Sequence, residues 1–330
     1  MLRYIGRRLL ILIPILLAVI VIIFTINFCT PGSPAISILG GSATPEKLAE
    51  VEHEMGLDRP YFVQLGEYLW NIITKFDFGT SYSFKRPVME VIGERIGVTC
   101  LLGFLSVIVT VIIGIPIGII AAVKQNRPVD YIATTIAVVL AALPSFWLGL
   151  MLILLFSVNL KVLPISGLGT PAHWILPVFT VAAFPLANIV RMTRSSMLEV
   201  IRQDYVRTAR AKGLPQREVL AKHVLPNGMI PVATTVGMML GLSMTGTIIV
   251  ETIFNIPGLG TLLNTSINMY DYNLTQGLVV VCAVIICCAN LLTDIAYAFL
   301  DPRIKALYTN SGKRKKRGKD TKCQSCGEGT

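Results

Sequence analysis

Leu9-Leu-Ile-Leu-Ile-Pro-Ile-Leu-Leu-Ala-Val-Ile-Val-Ile-Ile-Phe-Thr-Ile-Asn-Phe-Cys29 contains no Asp, Glu, Lys or Arg. An α-helix rises about 1.5 Å per residue and the hydrocarbon core of a bilayer is about 30 Å thick, so a run of about 20 such residues is long enough to cross it. Five further charge-free runs lie at 96–123, 131–160, 172–190, 224–250 and 272–293. The run at 172–190 is the shortest of them and carries His173, Pro177 and Pro185. Together they predict an all-α integral membrane protein with six transmembrane helices. The first run is too long and continuous for a cleaved signal peptide, and the Cys29-Thr-Pro-Gly-Ser-Pro34 that closes it offers no small-x-small cleavage site, so it is read as retained.

Outside these runs the composition agrees. Of 330 residues, 53% are hydrophobic and 15% charged, which excludes a soluble globular chain and one disordered throughout. Cys29, Cys100, Cys282, Cys287 and Cys288 lie in apolar runs and Cys323 and Cys326 near the carboxyl end, so a disulfide-stapled secreted scaffold is excluded too. A net charge of +10 suits a nucleic-acid binder only if the basic residues share a surface. Instead, 22 of the 29 Lys and Arg fall at the amino terminus, after the second run, in 191–227 and in the tail. With an even number of spans these four places share one side of the membrane. The positive-inside rule makes that side the cytoplasm, so both termini are predicted cytoplasmic and no nucleic-acid partner is implied.

The chain accordingly divides into a cytoplasmic amino terminus with the first span (1–29), an extracytoplasmic insertion (30–95), a core of five helices (96–300) that includes a cytoplasmic loop (191–227), and a basic cytoplasmic tail (301–330). In the insertion, Thr44, Pro45, Glu46 and Gly56 suit the cap, first turn and end of one helix. Phe62, Leu65, Leu69, Ile72, Ile73 and Phe76 predict a second with an apolar face, Glu67 and Lys75 lying elsewhere. Two readings of the insertion stand: a cap on the chain's own spans, or a lid or docking surface for a ligand-delivering protein.

The loop at 191–227 is the most informative soluble stretch. Asp204-Tyr-Val-Arg-Thr-Ala-Arg-Ala-Lys-Gly213 predicts a short helix closed by Gly213, with Arg210 and Lys212 at its negative pole. Leu214-Pro215 breaks it, and 216–223 predicts a second short helix before Pro226. Two short helices beneath a membrane can press into another protein's groove. A basic loop drawn to anionic headgroups fits the same charge pattern.

Arg207-Thr-Ala-Arg-Ala-Lys-Gly213, followed by His223-Val-Leu-Pro226, resembles the motif E-A-A-x3-G-x9-I-x-L-P of the permease subunits of bacterial ATP-binding-cassette importers. Ala209, Gly213, Leu225 and Pro226 match; Arg207, Thr208 and His223 stand where the motif has Glu, Ala and Ile, so no role of that Glu carries over. The replacements, with Pro31-Gly-Ser-Pro34, Gly56-Leu-Asp58, Ala142-Leu-Pro-Ser-Phe-Trp147, Leu163-Pro-Ile-Ser-Gly167, Glu251-Thr-Ile-Phe-Asn-Ile-Pro-Gly-Leu-Gly260 and Asp301-Pro-Arg303, are similar to the family's dipeptide, oligopeptide and nickel branch, and to the first of its two paired permeases. The resemblance spans Met1 to about Leu307.

It implies a type I importer permease fold and an assembly with a second permease, two cytoplasmic ATPases and an extracytoplasmic substrate-binding protein. The cargo would be dipeptides or oligopeptides, with nickel or a metal chelate as the alternative. This chain would hold no catalytic or cofactor site, ATP and Mg binding to the partner ATPases. The contact with an ATPase would fall to Tyr205, Arg207, Ala209, Arg210, Gly213, Leu214, His223 and Pro226.

Other residues are weighed singly. Asp294, at the end of its run, is expected to have a structural partner, and Glu251, at the end of its own, is read as a structural residue at the membrane interface, a place facing the translocation entrance being the other reading. Pro116, Pro144 and Pro185 are candidate bends, and Gly103, Gly114 and Gly118, with Gly237, Gly241 and Ser243, candidate points of close helix approach. His173 and His223 have no second histidine at ligand spacing, and no H-E-x-x-H, serine–histidine–acid ordering or G-x4-G-K-[ST] loop is present, which counts against a membrane enzyme. Cys323 and Cys326 have the spacing of half a zinc or iron–sulfur site and are read as reduced thiols in a flexible, lipid-attracted tail, a shared metal site with a partner being the other reading. A self-contained secondary transporter would need an internal inverted repeat, which is not evident.

Overall fold

The computed structural model describes residues 2–39 and 44–300; the tail, with Cys323 and Cys326, and the side chain of Asp294 lie outside the described residues. Along the chain run α1 (Leu2–Cys29), α2 (Pro34–Leu39), α3 (Pro45–Glu54), α4 (Tyr61–Lys75), α5 (Val88–Val123), α6 (Pro128–Ala142), α7 (Ser145–Leu152), α8 (Ala172–Ile201), α9 (Asp204–Ala211), α10 (Gln216–Glu218), α11 (Leu225–Ile253), α12 (Leu259–Asn268) and α13 (Tyr272–Leu300). π-Helical turns continue α7 over Ile153–Asn159 and join α10 to α11 over Val219–Val224. Among the described residues the sole strand-like pairing is an isolated bridge between Thr80 and Pro87.

Four helices, α1, α5, α8 and α13, are long and apolar enough to cross a membrane, and a bent pair makes a fifth candidate. The run at 224–250 forms most of the 29-residue α11, whose standing as a span rests on the absence of Asp, Glu, Lys and Arg over that run. The helices outlast the apolar runs. α5 begins at Val88 and α8 continues to Ile201, because a charged residue ends the hydrocarbon-facing stretch without ending the backbone ladder.

The third run departs from a simple span. α6 and α7 meet at 107°. Leu143 is extended (φ −77°, ψ 127°), as the residue before a proline prefers, and Pro144 has no N–H to continue the ladder. Pro116 and Pro185, also candidate bends, lie inside continuous α5 and α8.

The run with the weakest apolar signal forms α8, the most enclosed of these four spans: 67% of its apolar stretch is buried, against 11% for α1. Enclosure lets α8 carry Thr180, Thr193 and Ser196 on buried faces, with Ser196 bonded across to α11. Small residues set the spacing of its neighbours. A Cβ added at Gly118 would lie 2.6 Å from Thr193 Cβ, so the close approach of α5 to α8 requires glycine there. Gly114 faces Ile189 in the same way, and Gly237 and Gly241 of α11 abut Thr293 and Asn290 of α13.

The buried core is a series of clusters along the bundle. One, at the insertion, joins Ile72 and Phe78 to Val88, Leu262, Leu274 and Leu278. A second joins Leu102, Leu176, Phe254 and Ile256. A third, at the opposite end, joins Met197, Val206, Val219 and Val224. Polar anchors fix the insertion to the start of α13. Fully buried Asp271 accepts from Ser81 Oγ (2.6 Å) and from the Ser83 N–H (3.0 Å), and Tyr272 Oη donates to the Gly32 carbonyl (2.9 Å). Thr44 occupies the cap position of α3 but makes no side-chain cap bond, while Pro45 opens the helix as expected.

Glu251 has a structural assignment. It is fully buried and accepts from Thr99 Oγ1 (2.7 Å) and the Gly260 N–H (2.7 Å), while Thr99 Oγ1 accepts from the Leu259 N–H (2.8 Å). The acid therefore closes the amino end of α12, where exposed N–H groups and the helix dipole favour negative charge.

Candidate functional site

At one end of the bundle α8 projects past its apolar turns, Gln203 takes an extended conformation, and α9 starts at Asp204. The helical period sorts α9 into two faces. Val206 (0% exposed) and Ala209 (6%) point into the cluster formed with Ala122, Met197, Val219 and Val224. Tyr205, Arg207 and Arg210 point out. Gly213 then turns the chain at φ +79°, its N–H donating to the Arg210 carbonyl (3.0 Å). A Cβ there would meet nothing within 4 Å, so the left-handed backbone alone calls for glycine.

The expected second short helix is present at Gln216–Glu218 but does not stop before Pro226. It continues through the π-helical turn into α11, and Pro226 falls in the first turn of that helix, where a missing N–H is tolerated. Of the residues singled out from the sequence, Tyr205, Arg207, Arg210, Gly213 and Pro226 are exposed together on this end, Leu214 and His223 are half-buried, and Ala209 is internal. Ala209 thus packs α9 onto the bundle and presents no surface.

Several bonds tie the element down. Asn227 Nδ2 donates to Tyr205 Oη (3.0 Å), linking the start of α11 to α9, and Ser196 Oγ donates to the Gly228 carbonyl (2.7 Å), linking α8 to α11. Lys222 Nζ lies 2.6 Å from Glu218 Oε1 and holds that carboxyl below its ordinary range.

One pair was not visible in the sequence. Arg194 on α8 grips Asp130 on α6 with both arms, Nε to Oδ1 at 2.5 Å and Nη2 to Oδ2 at 2.8 Å, and the Asn126 N–H also donates to Oδ2 (3.0 Å). The partners lie far apart in the chain, and each read singly is an ordinary flanking charge. His173, by contrast, is a local turn residue, its Nδ1 2.8 Å from Thr170 Oγ1.

Comparison with known proteins places this arrangement. Residues 114–306 match the family described as binding-protein-dependent transport system inner membrane component, and residues 1–103 match the amino-terminal region of such components. The chain belongs to that family. It is therefore a multi-pass membrane permease subunit of an ATP-binding-cassette importer, a transport component and not an ATPase.

Its relatives include the dipeptide transport system permease protein DppB of Alkalihalophilus pseudofirmus, 40% identical over 92% of this chain and 100% of the relative. The glutathione transport system permease protein GsiC of Salmonella choleraesuis is 42% identical over 92% of this chain and 99% of its own. An inward-facing structure of the MetNI methionine ABC transporter superposes with a TM-score of 0.57 at 16% identity, covering 64% of this chain and 97% of that one, which shows the type I permease fold. Family membership implies a partner permease, ATPases and a binding protein in general terms.

Proposed function

We propose that this permease carries dipeptides or oligopeptides across the bacterial cytoplasmic membrane, together with one second permease, two cytoplasmic ATPases and an extracytoplasmic substrate-binding protein. The observation that carries the reading is the pairing of relatives named for dipeptide and glutathione transport with an α9 whose inner face is locked to the bundle and whose outer face is free. On this reading both termini and α9 are cytoplasmic and the insertion is extracytoplasmic, as the distribution of Lys and Arg favours. Tyr205, Arg207, Arg210, Gly213 and Pro226 form the surface offered to an ATPase. Leu214 and His223 edge it, and Ala209 supports it from behind. ATP and Mg bind the partner ATPases, and this chain holds no cofactor.

Coupling follows from stiffness. When the ATPases close on ATP, α9 is displaced, and because Val206 and Ala209 are packed against Met197, Val219 and Val224, the push reaches α8 and α11 as a rigid-body rotation. The test is purification of the tagged chain in mild detergent, identification of its partners, and ATP-dependent uptake of labelled dipeptide in vesicles, with a nickel chelate as comparator. Dipeptide uptake by a complex holding a second permease and ATPases is the expected result. Nickel uptake without dipeptide uptake, or transport without ATP, overturns it.

A further inference from the structure

Helix α4 has three sides. At about 100° per residue, Tyr61, Leu65, Tyr68 and Ile72 share one sector, Phe62, Val63, Leu69, Trp70 and Ile73 the next, and Gln64, Glu67, Asn71, Thr74 and Lys75 the third. The first sector is accounted for. Tyr61 and Tyr68 pack their rings on Phe24 of α1 at 5.6 and 5.7 Å, Tyr61 Oη lies 2.7 Å from Thr25 Oγ1, and Ile72 is buried in the core cluster of the insertion. The third sector is polar. The second is apolar and, apart from Leu69, which packs on the core cluster, bare: Phe62 is 81% exposed, Trp70 67% and Ile73 64%, and Phe76 just beyond the helix is 79% exposed. Such an apolar face is far from what a helix lying in water presents.

Position along α1 says what covers it. Tyr61 packs on both Phe24 and Phe28 and Tyr68 on Phe24, so α4 is seated on the last turns of α1. Phe24 is little more than one turn from the end of α1 at Cys29, where a membrane helix passes from hydrocarbon into headgroups. α1 also exposes Leu17, Val21, Ile22, Ile26 and Phe28 over more than one side, with 11% of its apolar stretch buried, a breadth that lipid covers and a single partner helix does not. The bare sector of α4 continues that surface.

We infer that α4 is an interfacial anchor lying in the headgroup–acyl boundary of the leaflet at the carboxyl end of α1. Its first sector is seated on α1, its Phe62–Trp70–Ile73 sector is immersed in lipid, and its Glu67–Lys75 sector is in water. Trp and Phe at this depth match the chemistry of the interface, where amphipathic helices bury their apolar faces and aromatic rings concentrate. The anchor holds the insertion at a fixed height and tilt, so that the surface above it is presented in one orientation. The inference rests on α1 crossing the membrane and not on the nature of the cargo.

The test places the photo-crosslinking residue p-benzoylphenylalanine at Phe62, at Ile73, at Glu67 and, as a lipid-facing control, at Ile22 in the full chain within cell membranes. After irradiation, adducts are identified by mass spectrometry. Phospholipid adducts at Phe62 and Ile73 comparable in yield to Ile22, and several-fold above Glu67, are expected. Adducts at Phe62 and Ile73 to the second permease or to the binding protein overturn the inference, as does a lipid adduct at Ile22 with none at Phe62 and Ile73. In a second measurement, Trp70 fluorescence of Trp147→Phe/Trp174→Phe chains is quenched by brominated phospholipid and not by aqueous iodide; the reverse pattern is equally fatal.

Discussion

Cutting the Arg194–Asp130 bridge from its two sides is expected to give unequal losses. Arg194→Ala leaves a carboxylate that is 2% exposed, with the Asn126 N–H as its remaining hydrogen-bond donor among the described residues. Removing one partner of a buried ion pair typically costs about 3–5 kcal/mol. Protonation sets a ceiling: bringing an aspartate of ordinary pKa about 3.9 to its neutral form at pH 7 costs about 4 kcal/mol. Because the partly exposed Arg194 side chain is itself what covers the carboxylate, its removal also admits water, and a loss of about 1.5–3 kcal/mol follows for Arg194→Ala at neutral pH.

Asp130→Asn is milder. Its amide oxygen can still accept from Asn126 and Arg194, and the guanidinium, 27% exposed, reaches water, so about 1 kcal/mol is expected. The double variant should lie below the sum of the two single losses, with a coupling of about 1–3 kcal/mol. Unfolding midpoints of the complex in nanodiscs, read at neutral pH and near pH 5, supply the measurement. The Arg194→Ala penalty should shrink at the lower pH, where the stranded carboxylate takes up a proton more readily. If Arg194→Ala is no worse than Asp130→Asn, or the two losses simply add, the buried carboxylate is not what the bridge protects.

At the proposed coupling surface, Gly213→Ala is expected to cost about 1–2 kcal/mol through its left-handed φ alone and to weaken coupling, whereas Gly213→Pro, which also removes the N–H bonded to Arg210, should separate ATP hydrolysis from uptake with the complex still assembled. Arg207→Glu with Arg210→Glu should leave stability within about 0.5 kcal/mol, since both side chains are exposed, yet abolish coupled uptake; normal uptake would remove α9 from the contact. Glu251→Ala, which strips the Gly260 N–H and Thr99 hydroxyl of their acceptor, should lose about 2–4 kcal/mol and Glu251→Gln less, read as thermal midpoints. Burial, with the Asp271 charge second, pushes the Tyr82 phenol up to about 12. Because that lies above the unfolded value of about 10, its stabilisation is complete below about pH 10 and is lost as pH rises toward about 12. Tyr82→Phe should flatten the fall in midpoint across that window.

What was legible in the sequence followed local rules. Five of the six charge-free runs as continuous helices, the Pro45 start of α3, the Gly213 turn and the reach of α4 each depend on neighbours within a few residues, and each was found near its predicted place. Pairings across the fold were not legible. Nothing near Asp130 announces Arg194, and nothing near Glu251 states that its carboxylate closes α12 through Thr99. The same limit explains Ala209. A motif match marks it as one of a set, but only the packing of Val206 and Ala209 against Met197 and Val219 shows that it faces inward while Arg207 and Arg210 face out. Proline was ambiguous for a related reason: Pro144 falls where Leu143 is already extended, whereas Pro116 and Pro185 are held in line by helices packed around them.

These contrasts separate the stiff parts of the chain from those that can yield. α8 is enclosed, continuous through two prolines, pressed against Gly114 and Gly118 of α5, bridged to α6 through Arg194 and bonded to α11 through Ser196. A helix held on so many sides moves as a rod, because bending it would break several contacts at once. The Leu143–Pro144 joint is where the regular ladder is already interrupted, and changing its angle sacrifices few further bonds. On the proposed coupling, a push at α9 is passed on unchanged by α8 and taken up at that joint. That division is the mechanical condition for a displacement on one side of a membrane to alter the packing of helices within it.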